Sequence, residues 1–223
     1  TIAGSLILTA LLISNGISAF KPIFNSGFPG VLYIILIGST TPAFVFAVTY
    51  TSVANVVFIF ASIPIFALFF SYIFLGEAIQ LPTVLTSIVV FLGLAIIAYG
   101  SGSSEISSWK GDLLAVYVSA AYAAALTALR KLKEISMVPA IPIAYIGTAL
   151  IISLFYFPFE GFDGNGLLFV GHGFFIGIAT WLLTLGPRYL SSPEVSLLIL
   201  LESVLAPLLV WLVVGEFPGE WAL

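Results

Sequence analysis

The sequence has no cysteine and one histidine. Without cysteine there is no disulfide, no thiolate metal site and no cysteine nucleophile, and the lone histidine speaks against a histidine-built metal centre. Charge is scarce as well. Six basic and ten acidic residues make up 7% of the 223 positions, whereas an ordinary soluble domain is roughly 25% charged. So few charges cannot cover the surface of a water-soluble fold, and lipid must take the place of water. The net charge of -4 provides no basic groove, which excludes nucleic acid as a partner. There is no Asp-rich diphosphate motif, HExxH pair or GxSxG elbow. The sequence therefore assigns no catalytic residue, no metal and no cofactor, and the chain reads as a non-enzyme. It opens at Thr1 directly in apolar sequence with no basic leader or cleavage site. No signal peptide is expected, and the chain is expected to be an internal piece of a longer protein.

Hydrophobic residues account for 61% of the chain. A bilayer core about 30 Å thick is crossed by about 20 apolar residues in a helix, because backbone groups in lipid must be satisfied within the segment. Eight stretches qualify: 2–20, 31–50, 53–75, 81–99, 113–129, 138–157, 167–187 and 194–214. Turn chemistry separates them, as at Asn25-Ser26-Gly27, Gly76-Glu77, Gly186-Pro187 and Gly215. The short connections predict antiparallel neighbours. Basic residues favour the cytoplasmic side. With Thr1 outside, Lys21, Arg130, Lys131, Lys133 and Arg188 fall inside and only Lys110 falls outside. The expectation is a multi-pass protein of the cell (inner or plasma) membrane, with the Arg130 to Lys133 loop cytoplasmic.

Sliding the sequence by 139 positions pairs Ile37 with Ile176, Gly38 with Gly177, Thr41 with Thr180, Tyr50 with Tyr189 and Ser52 with Ser191. It also pairs Val56 with Val195, Ala67 with Ala206 and Gly76-Glu77 with Gly215-Glu216. The first three stretches land on the last three. The same shift calls for one helix before Thr1 and another after the last stretch. The expected fold is all-α and integral to the membrane, an inverted repeat of five-helix bundles in which eight of ten helices are present. Residues 1–100 form the first repeat, lacking its first helix, and residues 101–223 the second, lacking its last. An odd number of crossings inverts the second repeat, an arrangement that points to a transporter.

The run from Ser62-Ile63-Pro64-Ile65-Phe66 to Leu75-Gly76-Glu77 resembles the fourth-helix signature of EamA-like proteins of the drug/metabolite transporter (DMT) superfamily. Leu200-Leu201-Glu202-Ser203 to Gly215-Glu216 resembles the ninth-helix signature, and Trp109-Lys110-Gly111-Asp112-Leu113-Leu114 the start of the family's second repeat. One departure is Ser203, where many members carry proline after the glutamate; here the proline is Pro207. The resemblance covers essentially the whole chain as helices two to nine of a ten-helix fold. It implies alternating-access movement of small metabolites, mostly outward, in a superfamily whose substrates include amino acids, drugs and nucleotide sugars.

Glu202 is the anomaly among the charges. It lies about 12 Å into its stretch at 1.5 Å per residue, where a carboxylate is costly unless protonated, paired or facing water. It is a candidate for proton coupling or for holding a substrate amine; the alternative is a neutral Glu bonded between helices. Asn55 and Ser62 lie seven apart on one helical face with Phe66 nearby, a mixed aromatic and polar cavity lining unless Ser62 bonds back to a carbonyl and the rings merely pack. Thr41 and Thr180 occupy equivalent repeat positions. Trp181 is mid-stretch, either facing substrate or packing helices. His172 has the chemistry of a proton shuttle, although its place near the outer end of its stretch favours an interfacial histidine. Pro42, Pro64 and Pro207 break the backbone ladder and are candidate hinges. The expected function is a secondary transporter, an exporter of small, partly apolar or amino-acid-like solutes, with protons as the candidate coupling ion. The partners are a small-molecule substrate and the lipid bilayer. The competing readings are a membrane-embedded enzyme and a structural or sensory membrane protein.

Overall fold

In a computed structural model, residues 1–100, 108–156 and 165–215 are described. The elements formed by the described residues are all helices, as apolar runs in lipid must be when every backbone group needs a partner within its own segment. α1 (Ile2–Asn15) ends at Gly16, whose φ of 60° suits glycine and whose N–H bonds Leu12 O. A 3-10 turn (Gly16–Phe20) and the short α2 (Lys21–Phe24) continue from it, and α3 (Gly27–Tyr50) holds Pro42 in its interior. α4 (Val53–Phe60) starts at Ser52, whose hydroxyl accepts from the Asn55 N–H at 3.1 Å. α5 (Ile63–Phe70) runs into one π-helical turn (Ser71–Leu75) that stops at Gly76, φ 67°. α6 (Leu81–Gly100) and α7 (Trp109–Lys131) follow. In α7, Asp112 sits in the first turn and Arg130 and Lys131 in the last, the arrangement the helix dipole favours. The chain continues through α8 (Ala140–Ser153), α9 (Gly166–Leu185), a 3-10 turn (Gly186–Arg188), α10 (Ser192–Leu200) and α11 (Glu202–Val214), which stops at Gly215, φ 79°.

Five helical segments are long and apolar enough to cross a membrane: Ile2–Phe24, Gly27–Tyr50, Asn55–Leu75, Trp109–Lys131 and Gly166–Arg188. The other three expected stretches are helical but are not among these five. Two are α6, counted over its portion Leu81–Ile96, and α8 (Ala140–Ser153). The third is divided into α10 and α11 at Leu201. Ile13, Phe24 and Leu167 are each more than 80% exposed, a state suited to lipid contact.

The chain divides into two compact units, each drawing helices from both halves of the sequence. The first holds Thr1–Ser39 and Ala128–Leu190. In it α1 lies against α8 and α9, around a core of Ile7, Leu11, Val138 and Ile141. Small residues permit the approach: a Cβ on Gly4 would stand 3.1 Å from Ile146, and one on Gly177 would already be in contact with Ala3. Between helices in lipid such van der Waals packing carries the association. The second unit holds Thr40–Thr127 and the segment from Ser191 onward. Here α5 packs on α10 and α4 on α6. Two alanine-rich clusters, Ala47 with Val56 and Ala115, and Ile63 with Ala67 and Ala123, bring α7 in.

The helix boundaries follow the 139-residue offset. α10 starts that far after α4, α11 that far after α5, and Gly215 that far after Gly76. Ser52 and Ser191 at the same offset share extended backbone angles, φ −69°, ψ 148° and φ −68°, ψ 156°.

Candidate functional site

The site is built from two interrupted helices of the second unit. Between α4 and α5 the ladder tightens: the N–H groups of Ala61 and Ser62 reach three residues back, to Phe58 O at 3.1 Å and Ile59 O at 3.0 Å. The cause is legible in the chain, because Pro64 has no N–H to give to the carbonyl four residues before it. The Ile59 carbonyl becomes the anchor of the break. It also accepts from the Ser62 hydroxyl at 2.6 Å, and the Ser119 hydroxyl of α7 lies 3.3 Å from it while bonding Ala115 O at 3.0 Å. Ser62 thus bonds back to the backbone. Pro64 is buried, and Phe66, half-buried, packs on the Ile63, Ala67 and Ala123 cluster and stacks with Phe70 at 6.2 Å and 20°.

The second interruption is at Leu201, whose N–H reaches back to Leu198 O at 3.2 Å. Leu201 keeps right-handed helical angles, φ −60° and ψ −24°, so this is a tightened turn within helical backbone. Glu202 is the first residue of α11 and its side chain is exposed. Glu194, the other acid in this stretch, is a helix cap: it accepts the Ser191 N–H at 2.8 Å and the Ser191 hydroxyl at 2.7 Å. Pro207 lies inside α11.

Asn55 belongs to a different arrangement in the same unit. Its amide donates to Thr51 Oγ1 at 3.2 Å, and Thr51 donates to Asp112 Oδ1 at 2.8 Å. Thr51 is 1% exposed. The contact is possible because Gly111 has no side chain; a Cβ there would stand 2.7 Å from the Thr51 nitrogen. The clasp ties the turn between α3 and α4 to the start of α7. Sequence reasoning noticed the Gly-Asp pair as a motif without assigning it this partner. Thr41 is exposed on α3 and Pro42 half-buried.

In the first unit, Thr180 is buried and shares a 2.9 Å hydrogen bond with the Tyr145 hydroxyl. Thr184 donates to Thr180 O at 2.7 Å, which commits its only proton, so the buried Tyr33 hydroxyl is the donor in the 2.9 Å Tyr33–Thr184 bond. These four residues link α3, α8 and α9. Tyr33 and Tyr145 were missed by the sequence reading; a hydroxyl within an apolar span was the available signal. Trp181 is half-buried against the Ile7, Leu11, Val138 and Ile141 core. His172 is exposed, in the second turn of α9. The candidates therefore divide: Thr41, Asn55, Ser62, Phe66 and Glu202 belong to the second unit, Thr180, Trp181 and His172 to the first. Among the described residues no group of three or more His, Asp or Glu side chains is arranged to hold a metal.

Residues 1–99 match the family model described as the EamA-like transporter family. A solved structure titled "Crystal structure of protein" resembles the chain with a TM-score of 0.79 at 17% identity, over 99% of this chain and 78% of that one. At that identity the likeness speaks for the fold alone. No curated protein matches the sequence.

Proposed function

We propose that the chain, whose residues 1–99 match the model of the EamA-like transporter family, is a secondary transporter moving small organic solutes across the cell membrane by alternating access. The observation that carries this reading is the pair of interrupted helices at one repeat offset, α4 with α5 and α10 with α11, in one unit. Interrupted helices in corresponding halves are the usual place for a transporter's binding groups, because the break frees backbone groups and admits water. Glu202, exposed at its break, is the group that meets substrate or proton, with Ser62, Phe66 and Thr41 as further candidates in the same unit. Pro64, Pro207 and Pro42 serve as hinges. Asn55 positions Thr51 and Asp112, while Thr180 and Trp181 hold their own unit together. With an acid and aromatic rings on offer, the favoured solutes are partly apolar amines and amino-acid-like compounds, and the favoured direction is export.

The test is a ligand-induced thermal-stability screen of the full-length protein in detergent, with amino acids, amines, cationic dyes and nucleotide precursors, followed by flux in proteoliposomes. A binding solute raises the melting temperature by mass action. The expected result is a selective hit that Glu202→Gln abolishes and that liposomes transport. No hit from any class, together with no flux and a Glu202→Gln variant as stable as wild type, would overturn both the transport reading and the role of Glu202.

A further inference from the structure

We propose that the end of the first unit carrying Arg130, Lys131, Lys133 and Arg188 is a binding site for the headgroup of an anionic glycerophospholipid. The site starts from a reciprocal strap. Arg130 Nη1 donates to Pro187 O at 3.1 Å, and Arg188 Nε donates to Lys133 O at 2.9 Å. The end of α7 with the connection after it and the 3-10 turn after α9 thereby each orient an arginine of the other. Among the described residues Arg188 makes only that bond, so four of the five guanidinium donors remain for an anion. A guanidinium held this way loses little freedom when it grips a phosphodiester with two parallel N–H groups.

The surroundings complete the fit. Lys131, the last residue of α7, and Lys133 just after it are exposed, and the one acid between α7 and α8 is Glu134. Phe20, the residue before Lys21, packs on the core that holds Val138, as does Leu185, which brings a fifth basic residue to this end. Five of the six basic residues of the chain thus belong to the first unit. Apolar groups flank them: Ile17, Phe24, Phe28 and Tyr189 are each at least 75% exposed. Basic side chains adjoining exposed apolar residues along the chain match a lipid with a negative headgroup over acyl chains, which a soluble anion would not reproduce. The inference is independent of the transport reading, since it concerns binding without turnover.

The test is native mass spectrometry and thermal melting of the full chain, with phosphatidylglycerol, phosphatidylcholine or inorganic phosphate added. Phosphatidylglycerol should be retained over phosphatidylcholine, raise the melting temperature, and lose this advantage in high salt; phosphate alone should do neither. Replacing Lys133 and Arg188 with Gln should cut the preference by about fivefold per charge removed. Arg188→Lys, which keeps the charge without the fork, should retain an intermediate preference, and it keeps the test decisive should the double variant fail to fold. Equal retention of the two lipids by wild type would overturn the proposal, as would a preference unchanged in all variants or stabilisation by phosphate equal to that by the lipid.

Discussion

At Gly111 one absent carbon decides whether two elements touch. An added Cβ would stand 2.7 Å from the Thr51 nitrogen, so Gly111→Ala should push α7 off the turn before α4 and lower the melting temperature of the purified protein. Thr51→Val tests the same clasp from its donor side. It removes the proton that Asp112 Oδ1 accepts at 2.8 Å, and hydrogen bonds to charged groups are worth about 1.5–3 kcal/mol. Tyr33→Phe removes a bond between two neutral hydroxyls, a type that averages about 0.6 kcal/mol between helices in a membrane. The expected order of destabilisation in a detergent unfolding series is therefore Thr51→Val above Tyr33→Phe, and the reverse order would count against the clasp. These residues also mark how far the sequence could be read. Glu202 stood out because a carboxylate in an apolar run is conspicuous, and Ser62 because back-bonding is what a serine in a helix does. Asn55 was conspicuous too, and its partner Thr51 is only four residues back, but the Asp112 that Thr51 bonds in turn follows from packing between helices. No spacing along one helix reveals that.

Among the elements, the interrupted helices bear most directly on mechanism. Pro64 denies a hydrogen bond to the carbonyl four residues earlier, and the ladder answers by tightening to three-residue bonds at Ala61 and Ser62. Pro64→Ala restores the N–H and lets α4 and α5 join. The expected outcome is a melting temperature equal to or above wild type with a several-fold loss of flux in liposomes; unchanged flux would remove the hinge role. Gly76→Ala separates this effect from simple loss of a stop. At φ 67° an alanine costs roughly 1 kcal/mol, so that variant should lose stability. The positions of the apolar runs were legible from composition, since length and hydrophobicity alone set them. The interruption at Leu201 was not, because no proline stands at the position equivalent to Pro64: Ser203 does. The π-helical turn at Ser71–Leu75 leaves no mark in residue type at all.

At the scale of the whole molecule, composition pointed to a lipid environment, and the self-match at 139 positions led to the expectation of two related halves. The two compact units run across that division, because each takes helices from both halves. Long-range assembly of this kind leaves no local signature. What the sequence does constrain is sidedness, and it is measurable by labelling, since these 223 residues carry no cysteine to compete with an introduced one. Tyr50 and Tyr189 are both exposed and lie one repeat offset apart. If five crossings separate equivalent positions, the two residues must lie on opposite sides of the membrane; an even number would put them on the same side. With Thr1 outside, a membrane-impermeant maleimide should label Tyr50→Cys in intact cells. Tyr189→Cys and Glu134→Cys should react only after permeabilisation. Labelling of Tyr50→Cys and Tyr189→Cys from the same side would exclude the inverted repeat. Labelling with the two sides exchanged would keep the repeat and reverse the orientation, placing the basic end of the first unit outside, where the excess of lysine and arginine argues it does not belong.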